Sequence, residues 1–563
     1  MTTPFLAPLP DFWPHQKLAV DAVTDAFERK CNLVVLEGPP GTGKTIIGEA
    51  VRRQIASGRH STYVCTSKIL QHQVVVTPAF SHAALLQGRN NYKPEPGTTR
   101  KRARQIRELD ITCDDCTFRA GATGTCEWCV QREACPYVLA RDVAINSVLA
   151  VLNTSYYITE ANGPGKFSGR YFTIIDEADL LDQVISQHVE VRISERRLKM
   201  LKWPAPSGVV TGPRTTEWWI EWIDKYQPKL RPAMQALKAT MPADPACREA
   251  VRIHRELGFL AGLDGSLDRI RADLAATKEN CGWVRTETKD REKIQLTWKP
   301  VWPAPFAEEV LWRHAPRWLL MSGTILSAQE LVDRLGWKHK WEFVRVNSAF
   351  PSENRPVHVL PVADMSKKAN KTSDEGRQKV VEAVAKLVLY HSGERVLVHT
   401  VSYELAERVC DRLRMLLPDR PVFTYLQARD ANRMVELYRE TEGAVLVAPS
   451  LERGLDLPDT ACRVQIIAKV PYPFLGDSQI SARLHDSDHS GQMWYSLETL
   501  RRMIQMTGRG MRHKDDAVTS YILDRSFVSK LWPQVQYLAP KHWAESIQWR
   551  GDAKLLRLVG LIK

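Results

Sequence analysis

The sequence predicts an α/β protein made of two parallel-sheet units, the first interrupted by two segments of different character. Three observations predict this. Short β-branched apolar runs alternate with amphipathic stretches along most of the chain. A glycine-rich loop sits between the first such run and the helical pattern that follows it. One cysteine-rich region and one tryptophan-rich region break the alternation in the first half.

The expected strands are 32–36, 61–65, 172–175, 318–321, 396–399, 444–447, 464–468 and 520–523. Helical patterns lie between many of them, for example 15–29, 45–55 and 403–416. Residues 89–144 are basic and hold clustered cysteines. Residues 186–304 carry Trp203, Trp218, Trp219, Trp222, Trp283, Trp298 and Trp302 in a mostly helical pattern. A linker is expected at 347–356, where SAFPSENRP brings two prolines among polar residues. The second α/β unit runs from about residue 350 to 563.

At 563 residues the chain has room for several domains. Its 44% hydrophobic and 25% charged residues exclude a mostly disordered chain. No apolar run reaches the roughly 18 residues of a membrane-spanning helix, and the start, MTTPFLAPLPDFWPHQ, does not read as a secretory signal. A cytoplasmic protein is expected, nucleoid-associated or in host cytoplasm if phage-encoded. Lys and Arg exceed Asp and Glu by 13, which favours an anionic partner, nucleic acid first.

Gly38-Pro39-Pro40-Gly41-Thr42-Gly43-Lys44-Thr45 fits GxxxxGK(S/T) in the required strand–loop–helix setting. Glycines free backbone N–H groups to wrap phosphates, Lys44 adds a point charge and Thr45 a hydroxyl for Mg²⁺. The run 172–175 ends in Asp176-Glu177-Ala178-Asp179. A carboxylate at such a strand end holds Mg²⁺, and its neighbour Glu177 orients or deprotonates water.

Five of the eleven cysteines fall within 23 residues: Cys113, Cys116, Cys126, Cys129 and Cys135. Two CxxC knuckles point to a four-ligand metal site, either tetrahedral zinc or an iron–sulfur cluster, with one cysteine over. Just upstream, Arg100, Lys101, Arg102, Arg104 and Arg107 form a basic run suited to phosphate-backbone contact.

In the second half, Met321-Ser322-Gly323-Thr324 closes a strand with two hydroxyls. Arg453, Gly454 and Asp456 follow a buried strand in SLERGLDLPD. Gln505, Arg509 and Arg512 lie in QMTGRGMR, two arginines on one face if helical. Arginines brought to a γ-phosphate from another domain stabilise transition-state charge.

In this order the motifs resemble those of superfamily 2 helicases, specifically the XPD/DinG-like family of iron–sulfur DNA helicases. WPHQ (13–16) resembles the glutamine motif, EGPPGTGKT motif I, and Cys65-Thr66-Ser67 motif Ia. GRNNY (88–92) resembles the entry to the cluster insertion and CPY (135–137) its last ligand. MSGT resembles motif III, HTVSY (399–403) motif IV, ERGLD motif V and QMTGRGMR motif VI. Three departures stand out: Trp13 where the family has Arg, Pro94 where it often has a cysteine, and Asp179 where it commonly has His.

The resemblance implies two RecA-like motor domains, the first assembled from residues 1–88, 145–185 and 305–349, the second from 350–563. It implies a cluster domain at 89–144, holding 4Fe–4S on four of the five cysteines with zinc as the alternative, and a mainly helical arch at 186–304. It further implies a 5′–3′ ATP-dependent DNA helicase, probed against an RNA or hybrid helicase and an ATP-gated DNA clamp. Gln16 reads adenine; Gly38, Gly41, Thr42, Gly43 and Lys44 hold phosphates; Thr45 and Asp176 hold Mg²⁺; Asp179, Gly454 and Asp456 border the nucleotide. Ser322, Gly323 and Thr324 couple hydrolysis to the DNA groove, while Thr66, Ser67, Thr400, Ser402, Arg453 and the basic run contact DNA. The expected partners are single-stranded and forked DNA, with the motor acting as a monomer, in DNA repair or a related process.

Overall fold

The structure is a computed structural model. It describes residues 9–95, 103–104, 106–107, 110–115, 135–204, 216–243, 248–276, 282–290, 293–348, 350–366, 374–449, 462–511, 516–549 and 551–562. Helix α1 (Pro14–Glu28) starts at a proline, whose missing N–H costs nothing in a first turn. It leads into β1 (Leu33–Glu37) and α2 (Lys44–Ala56), then β2 (Ser61–Cys65), β3 (Ala84–Leu85), β4 (Leu149–Asn153) and β5 (Phe172–Asp176). After α3 (Leu181–Val189) comes the large insertion: β6 (Val191–Ser194), α4 (Thr216–Tyr226), α5 (Leu230–Ala239), α6 (Arg248–Ala276), β7 (Trp283–Asp290) and β8 (Lys293–Pro300). The chain then returns with β9 (Trp318–Ser322), α7 (Ala328–Arg334) and β10 (Trp341–Arg345).

The first sheet is parallel throughout and seven-stranded, in the order β10-β1-β9-β5-β2-β4-β3. Its central strands are apolar on both faces because helices cover both; Leu33, Val34, Val35 and Leu36 are all fully buried. Burial of each such side chain contributes about 1.5–3 kcal/mol.

The second unit holds β11 (Val357–Ala363), β12 (Val396–His399), α8 (Tyr403–Leu416), β13 (Val422–Thr424), β14 (Val445–Ala448), β15 (Val464–Ile467), α9 (Ser478–Leu484), α10 (Gly491–Thr507), β16 (Thr519–Asp524) and β17 (Ile547–Gln548). These strands form a second parallel seven-stranded sheet, β13-β14-β12-β15-β16-β11-β17. All eight strands expected from sequence are present, each within one residue at either end. The two RecA-like sheets and the helical insertion are therefore as expected.

The insertion adds something the helical pattern did not show: β6, β7 and β8 form an antiparallel three-stranded sheet. The tryptophans explain it. Trp203, Trp219, Trp222, Trp283, Trp298 and Trp302 are buried, and Trp218 is half-buried. Trp219 stands edge-on to Trp298 at 5.3 Å, and Trp203 edge-on to Trp222 at 5.4 Å. These rings form the seam between helices and sheet, so the buried six are core residues. Among the described residues, no helix is long and apolar enough to cross a membrane.

Candidate nucleotide site and motor cleft

Three motifs meet because their strands are neighbours. β1, β9 and β5 lie side by side, with Glu37 opposite Ser322 and Asp176 opposite Met321. Their carboxyl ends deliver the glycine loop, MSGT and the acidic run to one edge, where parallel sheets place ligands. The Gly38 amide donates to the Ser322 carbonyl at 3.0 Å, joining loop and strand end directly.

The loop geometry requires its glycines. Gly41 and Gly43 have φ of +78° and +74°. A Cβ on Gly41 would stand 2.1 Å from the Phe350 ring, and one on Gly43 2.3 Å from Gln16 Nε2. Gln16 is buried, donates from Nε2 to the Thr42 carbonyl at 3.1 Å and accepts at Oε1 from the Trp13 amide at 3.0 Å. Thr42 Oγ1 donates to the Pro39 carbonyl. Lys44 Nζ donates to the Gly38 carbonyl at 2.9 Å, folded over the loop it opens from. A Cβ on Gly323 would lie 3.5 Å from that same carbonyl and 3.7 Å from Lys44 Nζ.

Asp176 is buried at the end of β5 and accepts from the Tyr63 hydroxyl at 2.9 Å. Burial pushes its carboxyl up, opposed by the charge of Lys44 and the bond from Tyr63. The Tyr63 hydroxyl is fully buried, and Thr45 lies near enough to ease the burial that pushes its phenol up. Glu177 adopts φ +52°, costly for a residue with a Cβ, and its amide donates to Asp176 Oδ1. The chain turns sharply here, setting Glu177 apart from the buried Asp176.

Asp179 forms the seam between the two sheet domains. It accepts from Ser322 Oγ at 2.7 Å and from Gln505 Nε2 at 3.4 Å, and lies 3.8 Å from the Arg501 guanidinium. Gln505 also donates to Thr324 Oγ1 at 3.0 Å, and Arg501 to the Thr324 carbonyl at 3.0 Å. Four of the residues singled out in the sequence thus share one network across the cleft. Arg509 is buried near His399, whose imidazole is pushed down to about 3 by burial first and by that arginine second.

Other expected residues have different surroundings. Ser67 and Ser402 cap helices, accepting from the Leu70 and Leu405 amides. Thr400 is buried and donates to the Ser402 carbonyl; Thr66 is half-buried. Arg104 is exposed. Cys113 and Cys135 are buried with their sulfurs 3.8 Å apart. Arg100, Lys101, Arg102, Cys116, Cys126, Cys129, Arg453, Gly454, Asp456 and Arg512 lie outside the described residues. Among the described residues no cluster of three or more metal-binding side chains occurs.

Sequence reasoning missed Tyr63, Arg501 and a buried triad of Asp182, Arg334 and Arg483. Asp182 accepts from Arg334 at 2.7 Å and from both terminal nitrogens of Arg483 at 2.8 Å, which hold its carboxyl down at about 2. Its signal was the spacing: Asp179 and Asp182 lie three apart, one face of a helical turn.

Residues 386–546 match the helicase C-terminal domain family. The chain is 25% identical over 286 residues to a regulator of telomere elongation helicase 1 homolog of Aedes aegypti, covering 44% of this chain and 28% of that protein. It is 31% identical over 105 residues to the Caenorhabditis elegans homolog, covering 16% and 11%. The chain thus matches less than a third of the length of these curated relatives. A solved XPD helicase superposes with a TM-score of 0.60 at 14% identity, over 96% of this chain and 99% of the other. S. tokodaii Xpd4 gives 0.52 at 14%, over 95% and 100%. Residues 386–546 thus match a helicase C-terminal domain, and the chain has the fold of the XPD helicases along nearly its whole length.

Proposed function

We propose that the chain is an ATP-dependent DNA helicase and translocase that moves 5′ to 3′ on single-stranded DNA and opens duplex forks. The observation that carries this reading is the network of Gln505, Asp179, Ser322 and Thr324, which joins the acidic strand end to a helix of the second sheet domain. Such a network makes the cleft responsive to whatever occupies the loop beside it.

In this reading Gln16 reads the adenine. Lys44 exchanges the Gly38 carbonyl for the β- and γ-phosphates. Thr45 and Asp176 hold Mg²⁺, which neutralises phosphate charge when bound; the buried Asp176 beside Lys44 and Tyr63 suits that role. Glu177 orients and deprotonates water. Arg509 and Arg512 close from the second domain. Ser322 and Thr324 pass closure to the strand groove, a hinge movement of the kind nucleotides drive. DNA-stimulated ATP turnover is expected to fall at least 100-fold in Lys44→Ala and Glu177→Gln; full turnover in either would overturn the assignment. Forks with opposite overhangs test the polarity, and matched RNA forks test the substrate.

For the cysteine module the resemblance supports a 4Fe–4S cluster, with zinc as the alternative; Cys113 and Cys135, buried with their sulfurs 3.8 Å apart, are its described members. Anaerobically purified protein that is brown, with absorption near ~400 nm, supports the cluster. Colourless active protein with stoichiometric zinc supports the alternative.

A further inference from the structure

The helices α9 and α10 form one tight hairpin. A Cβ on Gly491 would stand 1.7 Å from the Arg483 carbonyl, so only glycine lets the two helices meet there. At 17 residues α10 is about 25 Å long. Its far end carries Gln505 and Arg501, which hold Asp179 and Thr324 at the nucleotide cleft.

The near end of the hairpin holds the base of the insertion. Arg483 donates to the Val301 carbonyl, and its guanidinium lies 4.8 Å from the Trp302 ring and 5.1 Å from Trp494. Trp302 Nε1 donates to Asp486 at 2.7 Å, Gln479 Nε2 to the Pro300 carbonyl at 2.6 Å, and Lys299 pairs with Asp477 at 3.2 Å. The same Arg483 makes the bidentate pair with Asp182, in the first turn of the helix that follows the acidic run. One buried guanidinium therefore touches the first sheet domain, the insertion and the second domain at once.

A buried charge pair persists only while its geometry is kept, because a separated partner stays uncompensated. The hairpin is thus bonded at both ends to parts of the molecule that a moving cleft would displace. We propose that the α9–α10 hairpin is a lever that sets the pose of the insertion according to the state of the nucleotide cleft, with Arg483 as the positioning residue at its pivot. This rests on the nucleotide reading above. A planar guanidinium set against two edge-on indoles and bidentate to a carboxylate is a role lysine does not reproduce.

The test uses the full chain with spin-labelled non-natural residues at exposed Lys17, Lys238 and Lys386, in the first domain, insertion and second domain. In the parent protein a non-hydrolysable ATP analogue with Mg²⁺ is expected to shift both the 17–386 and the 17–238 distances. In Arg483→Lys the 17–386 shift persists and the 17–238 shift falls by at least half. A second variant, Lys299→Ala with Gln479→Ala, leaves the buried charges in place and is expected to weaken the 17–238 shift as well, which keeps the test open where Arg483→Lys fails to fold. An unchanged 17–238 shift in the folded variants overturns the lever, as does a parent protein that closes its cleft with the insertion fixed. Binding of the labelled analogue is measured on the same samples. Absence of binding overturns the nucleotide reading, and the lever with it; binding without the insertion shift overturns the lever alone.

Discussion

Single residues in the loop are constrained by backbone and space together. Gly41→Ala combines a φ of +78° with a Cβ position 2.1 Å from the Phe350 ring. ATP affinity in this variant is expected to fall more than tenfold in equilibrium binding, with the melting temperature lowered by no more than a few degrees. Retained affinity would show that the loop rearranges freely. His399 sets a pH dependence. Its imidazole is held down at about 3, below its ordinary 6.5, so the unfolded chain takes up a proton on acidification before the folded one does. Stability is therefore lost progressively as pH falls from about 6.5 toward 3, by about 2 kcal/mol at pH 5 from this group. His542, also pushed down to about 3 by burial and then by Arg355, adds a similar slope. His399→Phe is expected to flatten the fall in Tm between pH 7 and 5; an unaltered slope counts against this account.

At the scale of elements, the helix after the acidic run and the α9–α10 hairpin are joined through Asp182. Asp182→Asn leaves Arg334 and Arg483 buried without their carboxylate, and chemical denaturation is expected to show a loss of about 3–5 kcal/mol. The carboxyl is held down at about 2, below its unfolded value, so its contribution is complete above about pH 5 and is lost as pH falls toward 2. Gly491→Ala strikes the same element through the backbone, since the obstructing atom is the Arg483 carbonyl rather than a movable side-chain end. It is expected to lower stability and ATP turnover together, whereas Lys299→Ala leaves turnover without DNA intact. Elements of this kind were only partly legible. The strand at 149–153, LAVLN, is as apolar as its neighbours, yet it directly follows the cysteine-rich segment, where the alternation of strands and helices is broken. The insertion's strands were masked by tryptophans, whose spacing suits a helix face as well as a sheet.

For the whole molecule, the central expectation is that two parallel sheets work against each other. With an excess of 13 positive charges, the proposed binding to single-stranded DNA is expected to depend strongly on salt, with log K falling against log salt by about 0.7 per phosphate contact. A flat salt response would remove nucleic acid as the partner of that charge. The sequence by itself determined the two-sheet architecture and the place of the glycine loop at the end of its first strand. Glycine spacing, apolar runs and a carboxylate at a strand end are local features, dictated by backbone sterics and by the chemistry of phosphate. Only the tertiary structure decided that Tyr63 bonds Asp176, that Asp179 gathers Ser322, Gln505 and Arg501, and that Arg483 ties three parts of the chain together. These partners lie from tens to hundreds of residues apart, and strand order, not sequence spacing, brings them together. The tryptophans show the same division. Their number was plain in the sequence, but whether an indole faces solvent or a core is settled by the surface that packs against it, and here six of the seven are buried.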